Sequence, residues 1–393
     1  MKIYEIGTGY TPIPAQMGAA TEIVVEELTR SFIKSGEDVT IIDIASDDRK
    51  DTDLPIIEVK VPRVFTKKDV SLGIMHKLKR VVYSIALAFK LKKILKNSPE
   101  ETIFHFHNQY NLFFFLKLTS KKLRQRVSIA YTVHSYIWGT QWKEIKNTVT
   151  KKYFQEIHCV KNADFVFVLN EITVDHFVTE LGVKRENIYK VLNGVNVKRY
   201  TPLKNEEINL LKKSHFLLGK KIIFQVGSVC ERKNQFGSIK MLTEYLRSHT
   251  DTVFMYAGGI IDDEYHQSII DYATNNGIDN QVIYLGELAP GEQLNSYYNM
   301  ADCCVFTSNL ESFGLVIIEA ISSGTPVVMR DNLMFQLNCG HHIYKNEEEF
   351  VLLVDSILNG KMDKSDCDEV LEKYNWDNVA KLHTQILKEK VKN

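Results

Sequence analysis

No part of this chain is apolar for long enough to cross a membrane. Residues 81–89 are among its longest apolar runs, far short of the roughly 20 residues that the hydrocarbon core requires. The first residues, Met1-Lys2-Ile3-Tyr4-Glu5-Ile6, read as the start of a strand and lack the apolar core of a secretion signal. The six cysteines (159, 230, 303, 304, 339, 367) show no CxxC spacing. Neither a disulfide framework nor a structural zinc site is therefore expected, and the pattern fits a reduced, cytoplasmic chain. Formal net charge is zero, which argues against a wholesale nucleic-acid binder. Low-complexity tracts and short internal repeats are also missing, so the chain is neither a disordered linker nor a solenoid.

What remains is the material of a folded enzyme-sized protein. At 393 residues, 44% of them apolar, the chain exceeds one ordinary core and two domains are expected. Strand-like runs at 2–6, 39–44, 56–61, 102–107, 129–134, 165–169 and 188–192 alternate with helical patterns at 19–35, 75–96 and 142–160. Further runs at 222–226, 253–256, 282–285, 303–307 and 327–329 alternate with helices at 236–248, 264–275, 291–299 and 315–322. Such alternation means βαβ units and two doubly wound parallel sheets, an α/β fold. At Asn193-Gly194-Val195-Asn196-Val197-Lys198-Arg199-Tyr200-Thr201-Pro202 a strand ends, Asn-Gly turns and proline blocks regular structure, so the domains divide there.

The most informative segment is Asn309-Leu310-Glu311-Ser312-Phe313-Gly314-Leu315-Val316-Ile317-Ile318-Glu319-Ala320. It joins a buried strand to a helix that Gly324 and Pro326 stop. The start of that helix offers backbone N–H groups and a partial positive charge to a phosphate. Glu311 on the loop can hold sugar hydroxyls, and Glu319 further along the helix can hold a ribose. The pair with seven residues between them, followed by Gly324-Thr325-Pro326, resembles the E-x7-E signature of retaining glycosyltransferases, family 4, with the GT-B fold.

That resemblance implies two Rossmann-like domains facing a cleft: an acceptor-side domain at 1–197 and a nucleotide-sugar domain at 198–373. A last helix, 374–393, would pack back on the first. It implies a metal-independent enzyme with no cofactor. Its donor would be a nucleotide-sugar, a UDP-sugar by family frequency, and its acceptor a glycan, a lipid-linked glycan or a small molecule. Phe313, Gly314 and Leu315 would line the diphosphate seat. Lys233 fits the family's diphosphate lysine, but Ser228 stands where the family has arginine, with Arg232 the nearest substitute. Gly18, in a loop resembling the family's glycine-rich first loop, would let the backbone approach the pyrophosphate. His134 would lie by the sugar and acceptor, with His107 on the acceptor side. The spacing of His105 and His107 also permits a metal pair, but no third ligand is indicated.

Residues 60–126 carry sixteen Lys/Arg against three acids, a net +13 that the rest of the chain balances. This is either the solvated rim of a helix with one buried face or a surface for anionic membrane. Nucleic acid is not expected, since no aromatic-interleaved motif accompanies the charge. Two other functions share the fold: a nucleotide-sugar epimerase, and a non-catalytic subunit of a glycosylation complex.

Overall fold

Thirteen parallel strands form two separate sheets in the computed structural model, which describes all residues except 16–18, 66–73, 98–100, 135–150, 152, 332–340, 362–367 and 392–393. The first sheet contains β1 (Lys2–Ile6), β2 (Asp38–Ile44), β3 (Ile56–Val59), β4 (Thr102–Phe106), β5 (Ser128–Thr132), β6 (Phe165–Val168) and β7 (Ile188–Lys190). Its order is β3-β2-β1-β4-β5-β6-β7. The second contains β8 (Lys221–Val226), β9 (Thr252–Ala257), β10 (Val282–Tyr284), β11 (Cys303–Phe306), β12 (Val327–Arg330) and β13 (His341–Tyr344), in the order β10-β9-β8-β11-β12-β13.

Central strands such as Phe165–Val168 and Cys303–Phe306 are buried throughout. Helices cover both faces of such a sheet, so the strands read as continuous apolar runs rather than alternating ones. Each unit packs its own apolar core. In the first, Phe104, Phe106 and Phe115 meet Leu87 and Leu91; in the second, Ile223, Phe254 and Val305 meet Leu242 and Val354. In both sheets the strand order reverses direction once, between β1 and β4 and between β8 and β11. Ligands of doubly wound sheets bind outside the carboxyl ends of the strands at that reversal.

The first unit comprises Met1–Asn193 and Trp376–Asn393, and the second Gly194–Asn375. The linkers stay with the second unit because the Val195 N–H donates to the Tyr374 carbonyl at 2.7 Å. The last helix, Trp376–Val391, packs on helix Ala20–Lys34 within the first unit. Lys388 Nζ reaches Glu37 Oε1 at 2.7 Å, and the His383 ring meets Phe32 edge-on at 6.3 Å.

Several elements differ from the sequence expectation. β5 ends at Thr132, so His134 lies beyond the strand. The helix expected at 142–160 is described only over Phe154–Val160, the rest lying largely outside the described residues. The edge strand β13 and helices Gln109–Leu118, Glu171–Thr179, Asn205–Ser214 and Glu347–Leu358 were not anticipated.

Candidate functional site

Two loops leave the second sheet at its reversal, one after β8 (227–234) and one after β11 (307–314). Hydrogen bonds stitch them together. The Asn309 N–H donates to the Arg232 carbonyl at 2.9 Å, and Asn234 Nδ2 to the Thr307 carbonyl at 3.2 Å. Thr307 Oγ1 returns a bond to the Asn234 carbonyl at 3.0 Å, and Gln225 Nε2 holds the Lys233 carbonyl at 2.9 Å. Satisfied polar contacts of this kind fix a loop before any ligand arrives.

The stitching brings three charged side chains to one point. Lys233 Nζ lies 2.5 Å from Glu311 Oε2, and Arg232 Nη1 lies 3.5 Å from the same oxygen. Arg232 also reaches the Leu310 carbonyl at 3.4 Å. The lysine and glutamate side chains are each 14% exposed and the arginine 30%, so the charges sit where water screens them only partly. The stem of Lys233 lies against Gly227, where φ is +148° and a Cβ would come within 3.3 Å of Lys233 Cδ. Any larger residue there would strain the backbone and push the lysine aside.

Glu311 also borders the start of helix Leu315–Ser322. Gly314 is the N-cap of that helix in the left-handed region, φ +83°, and a Cβ there would lie 3.5 Å from Glu311 Cγ. The first-turn amides of a helix point off its N-terminal end, which carries about half a positive charge. Two cations, a carboxylate and a helix N-terminus therefore share one small region. Glu319 lies on the second turn of this helix. It is buried, and it accepts a hydrogen bond from Tyr298 Oη at 3.1 Å. Burial pushes the Tyr298 hydroxyl well up, and Glu319 beside it adds to the rise, so Tyr298 stays a donor. Tyr200 packs edge-on to Tyr298 at 6.0 Å and accepts the Gly291 N–H at 3.2 Å.

In the first unit, β1 and β4 lie side by side with Glu5 opposite His105. Residues two apart on a strand share a face, so His105 and His107 both turn toward Glu5. His105 Nδ1 lies 2.9 Å from Glu5 Oε1, and His107 Nε2 lies 2.7 Å from Glu5 Oε2. His107 Nδ1 then meets His134 Nε2 at 3.1 Å, and His105 Nε2 meets Thr132 Oγ1 at 2.7 Å. His383, from the last helix, packs against His105 at 5.8 Å. Glu5 supplies the third donor that the sequence did not indicate, with the three candidate ligand atoms within 4.8 Å of one another. They are already occupied by hydrogen bonds to each other. Burial raises the Glu5 carboxyl, but His105 and His107 outweigh it and hold the group at about 2. Burial and the neighbouring His105 bring His107 down to about 4, and burial takes His134 well below its ordinary range.

Comparison with known proteins fits this geometry. The "Glycosyltransferase Family 4" profile matches residues 21–199, and the "Glycosyl transferases group 1" profile matches residues 207–374. The chain belongs to glycosyltransferase family 4. It is similar to an uncharacterized glycosyltransferase of Methanocaldococcus jannaschii, 28% identical over 47% of this chain and 48% of that one. It also resembles the alpha-galactosylglucosyldiacylglycerol synthase of Streptococcus pneumoniae, 23% identical over 61% of this chain and 63% of the relative. The chain thus spans about half to under two-thirds of these relatives' lengths. Among solved structures, Anabaena HepE in complex with UDP and glucose superposes with a TM-score of 0.73 at 14% identity, over 99% of this chain and 100% of that one. This likeness shows the GT-B fold.

Against the family's pattern, the structure brings Lys233, Arg232 and Glu311 together and sets Gly314 and Leu315 beside them. The Phe313 side chain is 1% exposed and meets the Tyr374 ring edge-on at 6.5 Å. Ser228 lies on the same β8 loop, its carbonyl holding Gln235 Nε2 at 3.0 Å. Gly18 lies outside the described residues. Sequence reasoning missed Glu5, Tyr200 and Tyr298. The acid amid apolar neighbours in the first strand was the one available signal for Glu5.

Proposed function

We propose that this family 4 protein is a retaining, metal-independent glycosyltransferase that moves a sugar from a UDP-sugar to a glycan, lipid-linked or small-molecule acceptor. One observation carries the reading: Lys233 and Arg232 converge on Glu311 beside the start of helix Leu315–Ser322. A nucleotide-sugar brings a diphosphate next to a hydroxyl-rich ring, which is the charge pattern that this group complements. Lys233, Arg232 and the amides at Gly314 and Leu315 neutralise the departing diphosphate, Glu311 takes sugar hydroxyls, and Glu319 takes the ribose. Positioning and charge stabilisation then supply the catalysis, and no protein nucleophile is needed. The neighbour bound to UDP and glucose supports the uridine donor.

Thermal melting with nucleotides tests this reading. UDP at a hundred times its Kd is expected to stabilise the protein by about 2.7 kcal/mol, with ADP and GDP weaker. Sugar transfer is expected to survive EDTA and to keep the anomeric configuration by NMR. No stabilisation by any nucleoside diphosphate would overturn it.

For the acceptor, the reading extends to an anionic lipid surface. Helix Ile74–Asn97 exposes Lys77, Lys93 and Lys96 beside Met75, Leu78 and Phe89, the last 57% exposed. Part of the charge serves the fold instead. Lys79 is buried and donates to the Tyr10 carbonyl at 2.9 Å, and Arg80 stacks over Tyr10 at 4.7 Å. No helix among the described residues is long and apolar enough to cross a membrane. The S. pneumoniae relative, named for a glycolipid product, supports a lipid acceptor. Co-sedimentation should require anionic vesicles and fade with salt. Replacing Lys77, Lys93 and Lys96 by Gln should abolish it, and equal recovery with neutral vesicles would refute it.

A further inference from the structure

Helix Asn205–Ser214 turns one face to its own unit, where it packs on helix Glu292–Met300, and the opposite face to solvent. Ile208, Leu211 and Lys212 lie on the inner face, half-buried, with Lys212 Nζ 3.2 Å from Asp302. Residues four and three apart share a helix face, so Glu206, Leu210 and Lys213 line the outer one. All three are exposed, Leu210 by 68%. Neither Glu206 nor Lys213 forms an ion pair among the described residues. They cannot reach each other, since seven positions of helix separate them by about 10 Å along the axis.

Just past the helix, Phe216 is 94% exposed and Leu218 is 60% exposed. The Phe216 N–H closes the helix on the Lys213 carbonyl at 3.1 Å. Its φ is +59°, in the left-handed region, at the position where helix ends ordinarily carry glycine. A bulky side chain there strains the backbone. The fold thus holds a strained aromatic ring out in water beside a stripe of acid, leucine and base. We propose that this face binds a second copy of itself: two Asn205–Ser214 helices lie antiparallel across a two-fold axis, and the protein self-associates through them.

The pattern is self-complementary. A two-fold interface brings the same patch from both subunits together, residue i meeting j and j meeting i. Glu206 and Lys213 lie equally far from the midpoint between Asn209 and Leu210. With the axis there, Glu206 of each copy faces Lys213 of the other, and Leu210 lies at the centre. Leu203 and Phe216 share that midpoint, so each ring reaches the start of the other helix, where Pro202 is exposed and Leu203 half-buried. A parallel arrangement would set like charges together. Exposed ion pairs are weak and one helix makes a small interface, so the dimer forms and dissociates with concentration. The inference does not rest on the transfer reading, and its test uses no substrate.

Sedimentation velocity on the full chain over a concentration series is that test. The wild type is expected to move from 45.3 kDa towards twice that mass as concentration rises. Glu206→Lys and Lys213→Glu should each lose the dimer, because both cross-pairs become like-charged. An equal mixture of the two variants should recover it, since every lysine then meets a glutamate of the other chain. Phe216→Gly suits the left-handed backbone, so it keeps the fold, and it should also weaken association. A wild type that stays at 45.3 kDa at every concentration would give the face to a different partner and overturn the proposal. So would a dimer that survives either single reversal, or a mixture that stays monomeric.

Discussion

Lys233→Ala is expected to lower turnover about 10²–10³-fold, the usual consequence of removing one preorganised partner from a developing charge. The lysine sits 2.5 Å from Glu311, and Arg232 approaches the same oxygen only at 3.5 Å. In the proposed reading its removal takes a cation from the diphosphate seat and leaves Glu311 to Arg232. Steady-state kinetics with a UDP-sugar should show the loss mainly in kcat, because the charge it meets develops as the bond breaks. Arg232→Ala should show a loss of similar kind if the arginine stands in for the cation missing at Ser228, and Ser228→Arg should then be tolerated. An Arg232→Ala enzyme with wild-type kinetics would leave Ser228 uncompensated, and an unaffected Lys233→Ala would remove the lysine from the site.

Glu319→Ala is expected to weaken UDP binding by about 1.5–3 kcal/mol, the range of a hydrogen bond to a charged group. It should also cost stability, since the buried Tyr298 hydroxyl would lose its acceptor at 3.1 Å. Tyr298→Phe separates the two effects, because it removes the hydroxyl and leaves the carboxylate. Calorimetry should find UDP affinity reduced far less in Tyr298→Phe than in Glu319→Ala. Equal affinity of Glu319→Ala and wild type would place the ribose elsewhere.

Much of the second unit was legible in the sequence. The helix expected at 315–322 appears as Leu315–Ser322, because an apolar strand, a glycine N-cap and a Gly-x-Pro stop are all local signals. Contacts made across the sheet were not legible. Glu5 meets His105 through the pairing of β1 with β4, and no local pattern encodes the register of strands a hundred residues apart. Tyr298 reaches Glu319 from another helix for the same reason. Helix Gln109–Leu118 escaped notice because its run of three phenylalanines is apolar all round and carries no amphipathic period. The cap signal was there: Asn108 accepts the Tyr110 N–H at 2.9 Å. It directly follows the strand expected at 102–107.

The last helix has a consequence for how the protein is made. The first unit owns both ends of the chain, and the second is an insertion within it of about 180 residues. At roughly 5–20 residues per second of synthesis, the ribosome spends on the order of ten seconds or more on the insertion before Trp376 emerges. Throughout that interval the nascent first unit lacks its final piece. The face of helix Ala20–Lys34 that meets it stays uncovered, and His383 is not yet packed against Phe167 at 4.4 Å and His105 at 5.8 Å. The buried carboxylate network is thus closed only once helix Trp376–Val391 has been made. A chain cut short before that helix would leave the insert whole and the host unfinished.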